Sequence, residues 1–113
     1  MNFEAPQTKT EKEINDPALY DLYRHAQDMG NYKRDLETIK STAEEIAQKL
    51  SELGAVNLPP ESKLSEAYLS ASKVVESYKD VDQAQSAMNR IATLLSESDG
   101  FTEASEKWKE NQG

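Results

Sequence analysis

The chain has 113 residues, 36% apolar and 30% charged, with four glycines, four prolines and no cysteine. That bounds it to one small soluble domain and excludes a disulfide framework or a thiolate zinc site. Twenty-one acidic against 13 basic residues leave a net charge of −8 with no basic segment, so a phosphate backbone or anionic lipid surface finds no cationic stripe to bind.

No run approaches the roughly 18 consecutive apolar residues of a membrane span. The N-terminus Met1-Asn2-Phe3-Glu4-Ala5-Pro6 has neither the basic flank nor the apolar core of a signal peptide. The expectation is therefore no membrane insertion and no nucleic-acid binding. Cytoplasmic localisation is the default, with leaderless export or incorporation into a larger particle compatible with it.

Residues 1–15 carry Phe3 and Ile14 as their large apolar side chains among polar and charged neighbours. Such a segment does not offset its own ordering entropy and is expected to be a flexible arm. Asp16-Pro17 then offers a side-chain acceptor at an N-cap and a proline in the first turn, so a helix is expected from there.

From Leu19 the apolar residues fall three and four apart at Leu19, Leu22, Ala26, Met29, Tyr32, Leu36, Ile39, Ala43, Ile46, Leu50 and Leu53. That is a heptad seam with one fault, two successive threes through Met29 and Tyr32, and it brackets the weak helix formers Gly30-Asn31. A kink or brief break is expected there, and Gly30→Ala is expected to stabilise if residue 30 is helical. Gly54 suits a helix C-terminus, and Pro59-Pro60 stops any continuation.

A second helix is expected from near Pro60-Glu61-Ser62, with a seam of Leu64, Ala67, Ala71, Val74, Tyr78, Val81, Ala84, Met88, Ile91 and Leu95. It too has one fault, through Tyr78, Val81 and Ala84. Folding the chain about residue 57 sets Gly30 opposite residue 84, so the two faults would lie side by side. Helices of about 17–53 and 61–97, each about 55 Å long at 1.5 Å per residue, predict an antiparallel hairpin over 16–98. In 99–113, Phe101, Ala104 and Trp108 mark a short C-terminal helix whose tail, from Glu110, is expected to fray.

The chemistry-bearing residue types form few constellations. His25, the single histidine, has Asp21 and Asp28 at helical spacing, but a transition-metal site wants three or four protein ligands with further support, and a solvated face is the expectation. No glycine-rich strand-to-helix turn exists to build an oxyanion hole beside it. Asp80-Val81-Asp82 opens like a calcium loop, yet the sixth position is Gln85 and the twelfth Ile91. Carboxylate pairs such as Glu44-Glu45 lack apolar surroundings that would raise a pKa. Neither a catalytic centre nor a cofactor is expected.

The apolar surplus is more informative. Tyr32 and Tyr78 sit on the seams and read as core residues. Tyr20, Tyr23 and Tyr68, with Leu69, Val75 and Leu94, lie off the stripe and widen it. Either the Phe101–Trp108 segment folds back over part of that surface or a partner covers it. Val56 and Leu58 would sit exposed at the hairpin tip. Residues expected to meet a protein partner are thus Tyr20, Tyr23, Leu58, Tyr68, Val75, Leu94, Phe101 and Trp108.

A helical hairpin of this length resembles the small Trp-x-Gly secretion substrates of bacterial type VII systems and, less closely, type III needle subunits. Tyr78-Lys79-Asp80-Val81-Asp82 matches the Tyr-x-x-x-Asp export pattern of the first group. The turn Gly54-Ala55-Val56-Asn57-Leu58-Pro59-Pro60 holds no Trp-x-Gly, and the pattern falls mid-helix rather than in a C-terminal tail. The chain is assigned to no family on these residues.

The expectation from sequence is an all-α, coiled-coil-like hairpin that serves as a non-enzymatic interaction or assembly subunit. It would pack with copies of itself or with other helical proteins in a structural, secretion or virion-type complex. The alternative is a small acidic inhibitor or chaperone that masks a basic partner, with binding that weakens steeply in salt.

Overall fold

The computed structural model describes residues 10–32 and 34–112, and every regular element among them is helical. The α-helices are α1 (Ala18–Asn31), α2 (Leu36–Leu53), α3 (Lys63–Ser77), α4 (Val81–Glu97) and α5 (Phe101–Gln112), with 3₁₀ turns at Glu11–Glu13 and Ala55–Asn57.

Short polar side chains set the helix starts. Asp16 Oδ1 accepts from the Ala18 N–H at 2.8 Å, Asp35 Oδ1 from Thr38 at 2.9 Å, Ser62 Oγ from Ser65 at 3.1 Å and Asp80 Oδ1 from Asp82 at 3.1 Å. Each satisfies a donor that the first helical turn leaves without an internal partner. Gly54 ends α2 with φ 101°, where a Cβ would be strained, and its N–H reaches the Leu50 and Ser51 carbonyls.

Each of the two long helices expected over 17–53 and 61–97 is interrupted at its fault. At the first, Tyr32 leaves α1 with extended φ −118° and ψ 154°, and Asp35 restarts the helix as the cap of α2. At the second, Tyr78 and Asp80 are extended and Asp80 caps α4. An aspartate beside a seam fault offers the backbone a local acceptor in place of a helical carbonyl, and the overwound register does not oppose the exchange.

The two breaks lie side by side, bound together by polar side chains. Gln85 Nε2 donates to the Met29 and Tyr32 carbonyls at 3.1 and 2.7 Å, and Asn89 Nδ2 to the Gly30 carbonyl at 3.2 Å. The unpaired carbonyls at the end of α1 are thus capped from α4.

Helix α1 packs chiefly on α4 and α2 on α3, the pairing of a hairpin, but α3 also packs along α4. The continuous rods of the expected hairpin therefore give way to a slab of five shorter helices, 53 × 37 × 18 Å. The seams face inward as read: Leu19, Ile39, Ile46, Leu50, Leu64, Val74, Met88, Ile91 and Leu95 are fully buried. Between them sit Ala26, Ala43, Ala55, Ala67, Ala71, Ala84, Ala92 and Ala104, also buried, which let the helix axes approach closely. Tyr32 departs from the expectation. It is 63% exposed, because the extended backbone at the break turns it out of the seam.

Of the arm expected over 1–15, residues 1–9 with Phe3 lie outside the described residues. Thr10–Asn15, in contrast, is docked on the helices, with Ile14 2% exposed. Helix α5 continues to Gln112 rather than fraying at Glu110.

Candidate functional site

The off-stripe aromatics gather mainly where α5 returns across α1. Tyr20 lies 4.8 Å from Trp108 between ring centroids and 5.8 Å from both Tyr23 and Phe101, and Tyr23 meets Phe101 edge-on at 5.0 Å. All four rings are half-buried. The Trp108 indole N–H donates to Asp21 Oδ1 at 2.8 Å, and the Arg24 guanidinium stands 4.9 Å from the ring centroid. Tyr23 Oη accepts from Gln27 Nε2 at 2.8 Å. Edge and tilted stacking, a cation over the indole face and a satisfied N–H give this corner internal stability. The C-terminal helix thus folds back over part of the surface left open by the sequence reading.

Two other residues expected to meet a partner are also used inside the fold. Leu58 is 6% and Leu94 5% exposed. The loop carrying Leu58 turns it inward through the 3₁₀ turn Ala55–Asn57, leaving its neighbour Val56 outside at 49% exposure. Leu94 is covered because α4 lies at the centre of the slab, in contact with α1, α2, α3 and α5. A narrow two-helix stripe hid this, since off-stripe positions become interior once a helix has neighbours on several sides.

What remains outward is on α3. Leu69 is 58% exposed, beside half-buried Tyr68 and Val75. The flanking polar groups are engaged on one side, where Glu66 pairs with Arg90 at 3.6 Å. Among the described residues this helix face and Val56 hold the exposed large aliphatic side chains.

His25 is exposed on α1. The carboxylates that sequence places beside it are engaged elsewhere, Asp21 with the Trp108 N–H and Asp28 with Arg34 at 2.7 Å. The shallow depression there is lined by Asp21, Arg24, His25, Gln27, Asp28, Asn31 and Tyr32. Among the described residues no group of three or more His, Cys, Asp or Glu stands close enough to hold a metal. Nor does any buried side-chain nitrogen or oxygen among them lack a partner. Asp80, at the start of the calcium-like stretch, spends a carboxylate oxygen on its helix cap.

The thread that sequence reasoning missed runs through Glu11. Its Oε2 accepts from the backbone N–H groups of Lys63 and Leu64 at 2.7 and 3.4 Å, and its Oε1 from that of Asp99 at 2.9 Å. One carboxylate thereby joins the start of α3 to the turn before α5, where helix dipoles favour negative charge. Thr10-Glu11-Lys12-Glu13 carries the signal that was available, a Thr three residues before a Glu, and the Thr10 N–H does donate to Glu13 Oε1 at 2.7 Å.

Compared with known protein families, with curated proteins and with solved structures, the chain matches none. No described helix is long and apolar enough to cross a membrane.

Proposed function

We propose that this protein is a non-enzymatic helical interaction subunit that assembles with copies of itself or with other helical proteins through the outer face of α3. The observation that carries the reading is Leu69, left outward on α3 beside Tyr68 and Val75, which are half-buried against the core. A leucine 58% exposed beside a half-buried tyrosine has the composition of an interface centre, and helices dock on such faces by ridge-into-groove packing. On this reading the fold is an antiparallel hairpin folded at its two breaks, with α3 presenting one edge.

Sedimentation across a concentration and salt series tests it. The wild-type chain is expected to show mass above 12.7 kDa at high concentration, and Leu69→Asp to lower that mass with unchanged helicity. A wild-type monomer throughout, with no effect of Leu69→Asp on co-purifying helical partners, would overturn the reading.

A further inference from the structure

We propose that Thr10–Asn15 is an exchangeable ligand, seated on its own chain in the monomer and able to occupy the same seat on a second copy of this chain. The inference rests on the self-association part of the preceding reading and supplies a contact for it.

Three observations carry it. First, the bonds that seat the strap go to residues far along the chain. Glu11 binds the N–H groups of Lys63, Leu64 and Asp99, and Asn15 Oδ1 accepts from Lys107 Nζ at 2.8 Å. Ile14 is inserted among the buried residues. The strap backbone approaches Gly100 so closely that a Cβ there would stand 2.2 Å from the Ile14 carbonyl oxygen. The seat is thus shaped for an acidic residue followed three positions later by an aliphatic one.

Second, the seat calls for that carboxylate. Ser62 caps α3 by taking the Ser65 N–H and leaves the Lys63 and Leu64 donors to Glu11.

Third, the tether is independent of the seat. Asp16 Oδ1 caps α1 by accepting from Ala18, and the Asp16 carbonyl accepts from the Leu19 N–H, so α1 keeps its start when the strap leaves. Proline at 17 biases Asp16 toward extended backbone, which suits a strap that reaches away from its own helix. Exchange between copies preserves the seat contacts and closes on itself when made reciprocally. In the wild-type chain the tethered strap competes at an effective concentration on the order of millimolar, so exchange grows in only toward that range.

The test uses two variants of the full chain. Glu11→Ala/Ile14→Ser has a defective strap and an intact seat; Gly100→Ala has an intact strap and an obstructed seat. Each also carries Leu69→Asp, which removes assembly through α3; mixed near millimolar concentration, they are expected to give a 1:1 species of twice the chain mass in native mass spectrometry, one that neither forms alone. No mixed species overturns the exchange. If either variant loses its helicity, the wild type decides the matter. In a mixture of isotope-labelled and unlabelled chains near millimolar concentration, filtered NOEs between Ile14 of one copy and Gly100 of another support exchange, and association with only intrachain NOEs overturns it. That last result leaves assembly through α3 standing. A wild type monomeric by sedimentation, together with no mixed species, removes the exchange and the self-association part of the α3 reading alike.

Discussion

Gly30→Ala puts the meeting of the two breaks to a quantitative test. Residue 30 lies inside α1, so helix propensity by itself favours alanine by up to about 1 kcal/mol, less this near the helix end. The approach of α4 opposes it. A Cβ on Gly30 would stand 2.2 Å from Asn89 Oδ1, 2.6 Å from its Cγ and 3.1 Å from its backbone nitrogen. Rotating the Asn89 side chain away relieves the first two contacts but gives up its hydrogen bond to the Gly30 carbonyl, about 0.5–1.5 kcal/mol. The backbone nitrogen does not rotate away, so α1 and α4 must part by a few tenths of an ångström, an overpacking cost of about 1–3 kcal/mol. The net expectation is a loss of about 1–2 kcal/mol, a fall in Tm of roughly 4–8 °C for a chain of this size, read by far-ultraviolet circular dichroism. In an Asn89→Ala background the loss should shrink to the backbone part. An unchanged or raised Tm for Gly30→Ala would refute the close approach of the helices and restore the simple expectation from propensity.

Leu50→Asp places a charge at a fully buried position and should cost several kcal/mol, enough to unfold most of the population in a urea titration. Leu58→Asp should also destabilise the monomer by a few kcal/mol, since Leu58 is interior; full helicity with only an altered oligomer mass would contradict that placement. Trp108→Ala removes the Tyr20 stacking, the Arg24 contact and the Asp21 hydrogen bond together, and a loss of about 2 kcal/mol is expected by denaturant melting. Asp35 accepts from the Thr38 hydroxyl and amide, which hold its carboxyl below the ordinary value of 3.8. Because its folded pKa is depressed, the cap contributes fully above the unfolded value and is lost as pH falls through the folded one. The Thr38 amide resonance should titrate with a midpoint below 3.8 and cease to do so in Asp35→Asn.

The seams were legible because three-and-four spacing is a property of one helix face, and sixteen of their positions, from Leu19 to Leu95, are buried where they were expected. The faults were legible for the same reason, together with Gly54 as the end of α2. The sequence did not reveal that a fault would become a full interruption, since that depends on Asp35 and Asp80 finding amides to cap and on Gln85 and Asn89 reaching across from α4. Nor did it reveal the fate of Leu58 and Leu94, whose burial needs neighbours that a pairwise seam does not contain. Ile14 looked stranded among polar residues. It is interior only because Glu11 finds three donors contributed by helix starts far along the chain.

An interior so rich in methyl-sized side chains answers mutation asymmetrically. Trimming one of these methyls to glycine gives up about 1 kcal/mol of helix propensity, whereas each enlargement at Ala43, Ala67, Ala71 or Ala84 must wedge two backbones apart. Substitutions that add bulk are therefore tolerated at the rim and refused along the midline. Any new contact this chain acquires must be written on its outer faces.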